Sequence, residues 1–218
     1  LVGEAKRQGV EVRPPCVLSS HWDSTLEADG IHDPSTDGKK GHPARGMAIR
    51  LGLHQIKGMK QEVAKRLVDY RTHHAITDLS ELHHSARLSK ADLRVLARAD
   101  AFAGLGWSRR ESLWRIDGLW SGPLLSALPP PEDAVAMPKA SAYEDLQLDF
   151  LNLGLCLQKH PIELGRPWLN QRQVLPIIEL RTHPHGSKVA VAGLVTHRQR
   201  PQTASGGIFL GMEDETGI

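Results

Sequence analysis

The sequence predicts an α+β chain in which a helical unit is followed by a linker and then by short strands. Three observations support this prediction. Apolar residues recur at helical spacing after position 60, five prolines fall between positions 121 and 139, and alternating β-type residues begin at position 188. With 218 residues, the chain has room for one large or two small domains.

Composition excludes several classes of protein. No apolar stretch approaches the roughly 20 residues of a membrane-spanning helix, and the first residues lack the regions of a signal peptide. The two cysteines, Cys16 and Cys156, cannot form a disulfide framework. We therefore expect no membrane partner and a reducing, cytoplasmic setting. Because the formal net charge is only +2, any nucleic-acid contact must come from local basic patches.

The N-terminal part, residues 1–53, is predicted to hold short strands on either side of a loop. Val10 and Val12 mark the first strand, and residues 48–53 mark the second. Residues 28–46 contain glycine and proline but almost no apolar side chain. Such a segment buries too little surface to offset its ordering entropy, so we expect a mobile loop there.

Residues 54–120 are predicted to form a compact helical unit. Apolar residues at i, i+4 and i+7 indicate a helix after Lys60, and a further helix begins after Ser89. Ser108 and Glu111 stand in the pattern of a capping box, which predicts a helix from there to about residue 117.

The next two segments are a linker and a connector. Prolines in residues 121–140 remove backbone donors, so this stretch is the best candidate for a domain boundary. Residues 141–187 begin with a second capping box, Ser141 with Glu144, and Gly154 stands where a left-handed C-terminal cap belongs.

Residues 188–218 are predicted to form a β-hairpin. Two short strands, 188–196 and 208–210, are joined by a basic loop that contains Arg198, Gln199 and Arg200. A two-stranded hairpin is marginal in water by itself. We therefore expect this segment to be the opening of a larger β-domain that continues beyond the sequence.

The chemistry is concentrated in a glycine turn that opens a helix. Gly58 lets the backbone approach a ligand closely, and the helix N-terminus that follows presents unpaired N–H groups. Phosphate is the natural partner of such a terminus, and Lys57 and Lys60 flank the turn. The arrangement resembles a helix-hairpin-helix motif, although Lys60 occupies the place of a second glycine; the alternative is an ordinary helical turn with solvated lysines. The candidate DNA-binding residues of this segment are Ile56, Lys57, Gly58, Met59, Lys60, Lys65 and Arg66.

Four arginines outside the segment around Gly58 are further candidates. Arg109 and Arg110 lie in the first turn of a helix, where cations oppose the dipole, which points either to an external anion or to tertiary ion pairs. Arg198 and Arg200 lie in the predicted basic loop between two strands. They are placed to follow a single-stranded template, and a plain exposed loop explains them equally well.

Four segments in order resemble the C-terminal half of the bacterial C-family DNA polymerases. They are residues 9–27, 48–71, 76–120 and 189–218. The pairing of LARADAF with LGWSRRESLW is most similar to the error-prone, translesion branch, which is related to the DNA polymerase III α subunit.

The resemblance implies a role for each segment. Residues 1–53 would be the end of the fingers region, 54–120 the helix-hairpin-helix unit, and 188–218 the start of an OB-fold. The intact protein would be a DNA-directed DNA polymerase that uses Mg²⁺ at palm aspartates. No Asp-x-Asp pair occurs here, so this piece is expected to hold no catalytic residue and no metal.

The resemblance also implies the partners. They are duplex backbone and single-stranded template, bound without sequence specificity, together with other translesion or replication proteins. The alternative hypothesis is a stand-alone, non-catalytic nucleic-acid-binding or adaptor protein built from the same two modules.

Overall fold

The computed structural model describes residues 2–28, 47–119, 137–157, 159–201 and 207–218. Within it the chain forms two compact units, Leu1–Leu155 and Cys156–Ile218. The fold is α+β, as predicted, with a helical region followed by small sheets. Nearly all of the predicted mobile loop (28–46) and most of the proline-rich linker (121–140) lie outside the described residues.

The first unit opens with a short helix and a three-stranded sheet. Its elements are α1 (Val2–Arg7), β1 (Val12–Arg13), β2 (Thr25–Ala28) and β3 (Met47–Arg50). Strand β3 is central, parallel to β1 and antiparallel to β2. Glu27 on β2 accepts from Arg13 at 3.1 Å and from Arg50 at 3.0 Å, so one carboxylate links all three strands. Strands β1 and β3 match the predicted strands, whereas β2 was not predicted.

The other described elements of the first unit are helices. They are a 3₁₀ helix (Leu53–Gln55), α2 (Gln61–His73), α3 (Leu79–His84), α4 (Lys90–Arg98), a 3₁₀ helix (Ala103–Leu105), α5 (Arg109–Asp117) and α6 (Ala142–Leu153). Their core contains Leu67, Leu82, Leu93, Leu96 and Phe102, all with no exposed surface. Full burial of each such side chain stabilises the fold by about 1.5–3 kcal/mol.

Three residues in this unit have a positive φ and the same distance to the helix that follows. Gly58, Arg87 and Gly106 have φ angles of 82°, 54° and 80°, and each stands three positions before the first residue of α2, α4 and α5, respectively. A positive φ is accessible to glycine at little steric cost, which explains two of the three positions. A residue with a positive φ therefore stands at the same distance before α2, α4 and α5.

The second unit is smaller and contains short strands. Its elements are α7 (Pro161–Gln171), β4 (Val174–Leu175), a 3₁₀ helix (Ile177–Thr182), β5 (Ala190–Val191), β6 (Leu194–Gln199) and β7 (Phe209–Glu213). Strands β4 and β5 pair in parallel, and β6 and β7 form the predicted antiparallel hairpin. The basic segment predicted as a loop is partly strand, because Arg198 and Gln199 pair with Leu210 and Phe209 in the ladder.

The buried carboxylate of Asp214 connects several elements of the second unit through hydrogen bonds. Asp214 is 2% exposed and accepts hydrogen bonds from the Ile177 amide at 2.7 Å and from Arg166 at 3.2 Å. Arg166 also binds Glu215. This cluster joins α7, the 3₁₀ helix and the C-terminal turn. Among the described residues, no helix is both long enough and apolar enough to cross a bilayer.

Candidate nucleic-acid interface

The turn that leads into α2, residues 56–62, is called the α2 hairpin below. Buried apolar side chains anchor this hairpin, and its basic residues are exposed. Leu53 and Ile56 are buried in the core of the first unit, whereas Lys57, Gly58 and Lys60 are exposed. Ile56 therefore serves as an apolar anchor for the turn. The predicted turn and helix boundary are both present, since Gly58 has a positive φ and α2 begins at Gln61.

The backbone amides of the hairpin divide into two sets. The Lys57 amide donates to the Asn152 carbonyl at 2.8 Å, and the Met59 amide donates to the Ile56 carbonyl at 3.0 Å. Within the described ranges, the amides of Gly58 and of residues 60–62 donate to no protein acceptor. Protein carbonyls therefore occupy two amides of the turn, while those of Gly58 and of the helix N-terminus remain open.

The N-terminus of α2 differs from those of the later helices in this unit. Side chains cap the first turns of α3, α4, α5 and α6; these residues are Asp78, Ser89, Ser108 and Ser141. The equivalent residue of α2 is Lys60, which makes no side-chain capping bond. A capping oxygen satisfies one of the open donors of a helix, so α2 keeps donors that the other helices use internally.

Basic side chains surround these amides. Lys57, Lys60 and Lys65 are exposed and make no ion pair within the part of the chain that the structure describes. Arg66 donates from Nη1 to the Arg87 carbonyl at 2.7 Å, which links α2 to the segment between α3 and α4. The buried face of α2 contains Val63, Ala64 and Leu67, so Lys65 and Arg66 project outward.

Arg109 is a structural residue, which corrects its assignment as a candidate DNA contact. Its side chain is 8% exposed, with Nη1 bound to Asp145 at 2.9 Å and Nη2 bound to Asp149. Of the two readings that the sequence left open, tertiary ion pairs therefore explain this arginine. Arg110 is more exposed and pairs with Glu144 at 3.0 Å, an interaction that solvent screens.

Acidic groups outnumber Arg109 in this partly buried cluster. Burial raises the pKa of Asp100 to about 6, although the positive charge of Arg109 opposes the shift. Burial likewise raises the pKa of Asp149. Sequence reasoning did not identify the acidic partners of Arg109, because the members of this cluster come from three separate segments of the chain.

Arg198 and Arg200 belong to the second unit. Arg198 lies in β6, Arg200 follows its last residue, and both are exposed. The structure thus places the predicted contacts in three places: around the α2 hairpin, at the start of α5 and on the β6–β7 hairpin. Within the described ranges, no group of three or more His, Cys, Asp or Glu side chains is arranged to hold a metal ion.

Comparison with known proteins agrees with this geometry. A family model described as a helix-hairpin-helix motif matches residues 9–112. Proteins named error-prone DNA polymerase are similar to this chain along almost its entire length. The proteins from Anaeromyxobacter sp. and Azoarcus sp. are each 40% identical over 100% of the chain. The protein from Xanthomonas oryzae is 39% identical over 99% of the chain. The chain spans only 19–20% of the length of these curated relatives. It belongs to the error-prone branch of the bacterial C-family DNA polymerases.

Proposed function

We propose that this chain is the DNA-holding region of an error-prone DNA polymerase, and that the α2 hairpin binds the backbone of the template-primer duplex. One observation carries the proposal: an uncapped helix N-terminus with open amides stands between exposed lysines. The match of residues 9–112 to the helix-hairpin-helix family supports it.

The hairpin can bind phosphate through two physical effects. Open amides at Gly58 and in the first turn of α2 donate hydrogen bonds to phosphate oxygens, and the positive end of the helix dipole favours the negative charge. Lys57 and Lys60 add charge neutralisation that depends on salt. Contacts of this type fix the position of a duplex and carry no sequence information.

In the intact protein, we assign deoxynucleotide addition, including synthesis across damaged template, to a palm domain that uses Mg²⁺. The described residues offer no fitting set of metal ligands, so we derive no catalytic step here. We further propose that the β6–β7 hairpin begins an OB-fold, and that Arg198 and Arg200 follow the single-stranded template. Access to chromosomal DNA requires a cytoplasmic location.

The salt dependence of DNA binding tests the proposal. We expect weak binding to duplexes of any sequence, measured by fluorescence anisotropy. Neutralisation of about three to five phosphates gives a slope of about −3 to −4 for log K against log salt. The double variant Lys57→Ala with Lys60→Ala removes two contacts and should flatten that slope by nearly 2.

A matched control removes the same charge elsewhere in the first unit. Lys90 and Lys139 are distant in sequence from the hairpin, and Lys90 donates to the carbonyl of Asp117 at 3.4 Å. The double variant Lys90→Ala with Lys139→Ala should leave the slope unchanged. An unchanged slope in the hairpin variant, or equal flattening in both variants, would refute the assignment of the hairpin.

A further inference from the structure

The hairpin turn contacts a helix that lies outside the matched motif. The Lys57 amide, directly before Gly58, donates to the Asn152 carbonyl in the last turn of α6 at 2.8 Å. The family match ends at residue 112, whereas α6 spans Ala142–Leu153. A main-chain bond of this kind fixes the peptide plane between Ile56 and Lys57, one residue before the open amide of Gly58.

The last turn of α6 is itself well ordered by local bonds. The Asn152 side chain donates to the Leu148 carbonyl at 2.7 Å. Gly154 follows the helix with a φ of 73° and donates its amide to the Phe150 carbonyl at 3.1 Å. The Asn152 carbonyl is therefore held in place whenever α6 is held in place.

Arg109 attaches α6 to α5. One guanidinium contacts two carboxylates on successive turns of α6, since Nη1 binds Asp145 at 2.9 Å and Nη2 binds Asp149. Nη1 also reaches the backbone carbonyl of Asp145 at 3.3 Å. Because Arg109 and Asp149 are nearly buried, the loss of one partner leaves the other without compensation.

We propose that Arg109 is a positioning residue for the phosphate-binding hairpin: it holds α6 through Asp145 and Asp149, and α6 holds the turn through Asn152. This inference rests on the proposed function of the hairpin. It gives a role in DNA binding to an arginine that does not contact DNA, and it extends the interface beyond the helix-hairpin-helix motif.

The variant Asp149→Asn tests the link, with Asp117→Asn as its matched control. Asp117 pairs with Arg94 at 2.7 Å on the surface between α4 and α5, so both variants remove one carboxylate that faces an arginine. The first readout is hydrogen exchange of the Lys57 amide. We expect exchange at least tenfold faster in Asp149→Asn and unchanged in Asp117→Asn, while the core amides of Leu93 and Leu96 stay protected in both.

The second readout is DNA affinity. Both substitutions make the protein more positive, which by itself favours DNA binding. We nevertheless expect Asp149→Asn to weaken binding about three- to tenfold relative to Asp117→Asn. The salt slope should stay unchanged, because no phosphate contact is removed. A loss of a direct contact would instead flatten the slope.

The outcomes separate this inference from the function on which it rests. Slow Lys57 exchange in folded Asp149→Asn would overturn the link, and so would fast exchange with DNA affinity equal to that of the control. If Asp149→Asn does not fold, the milder variant Asp145→Asn, at a carboxylate that is 42% exposed, should show the same changes at smaller size. A wild-type chain that does not bind DNA would refute the proposed function, while Lys57 exchange would still decide whether Arg109 holds the hairpin.

Discussion

Replacement of Gly58 by alanine separates the shape of the hairpin from its contact with DNA. Gly58 has a φ of 82°, and a Cβ added there would meet only Val95 Cγ2, at 3.9 Å. The substitution therefore causes no steric clash, and its cost comes from the backbone conformation. A left-handed conformation costs a non-glycine residue about 1–2 kcal/mol. The reduced entropy of the unfolded chain offsets about 0.4–1 kcal/mol of this cost.

Gly106 provides the matched control. Its φ is 80°, a Cβ there would meet nothing within 4 Å, and it also stands three positions before a helix. We therefore expect Gly58→Ala and Gly106→Ala to destabilise the first unit equally, by about 0.5–1 kcal/mol. Urea unfolding followed by circular dichroism measures this quantity.

DNA binding should distinguish the two variants. The added methyl group at Gly58 lies beside the open amides of the α2 hairpin, whereas α5 is capped by Ser108 and offers no equivalent site. We expect Gly58→Ala to lose about tenfold in affinity, or about 1.4 kcal/mol, relative to Gly106→Ala in anisotropy titrations at fixed low salt. Equal affinities would refute the reasoning that the turn approaches phosphate.

Three further predictions concern caps and buried carboxylates. Lys60→Ser gives α2 a capping oxygen, so it should be about 1 kcal/mol more stable than Lys60→Ala yet bind DNA more weakly, in urea unfolding and anisotropy respectively. Asp100→Asn should be more stable than the wild type above pH 6 by about 1–2 kcal/mol, because burial raises the pKa of Asp100 to about 6 and ionisation therefore costs folding energy as the pH rises. Asparagine tolerates the φ of 59° at this position. In unfolding curves the gain in stability should vanish near pH 4, and a gain that instead grows as the pH falls would contradict this prediction. Asp214→Ala leaves the Ile177 amide without its acceptor and removes one of the two carboxylates that bind Arg166, so the second unit should lose about 1–3 kcal/mol in thermal or urea unfolding, and an unchanged midpoint would contradict this role.

Local hydrogen-bond chemistry made much of the fold predictable. Ser89 caps α4 and Ser141 caps α6. In both cases the serine amide donates in return to the carboxylate of the third helical residue, and Gly154 ends α6 with a positive φ. In each case the donor and acceptor lie within four residues of one another, so the sequence pattern contains the whole interaction. The turn at Gly58 was predictable for the same reason.

Interactions between distant residues were not predictable. The sequence left an external anion and tertiary ion pairs open for Arg109, because its partners, Asp145 and Asp149, lie 36 and 40 positions further along the chain. The bond from the Lys57 amide to Asn152 had no signal in the sequence at all. Helix α7 was missed since Pro161 and Pro167 disfavour a helix, although Pro161 fits its first turn and His160 caps it.

Titration of the ¹⁵N-labelled chain with duplex DNA tests most directly whether the α2 hairpin binds the phosphate backbone. We expect the amide resonances of Gly58, Lys60, Gln61 and Glu62 to shift most, and those at the Ser108-capped start of α5 to shift little. Large shifts at α5 with unmoved hairpin amides, or no shifts in either place, would contradict the assignment of this hairpin as the DNA-binding site.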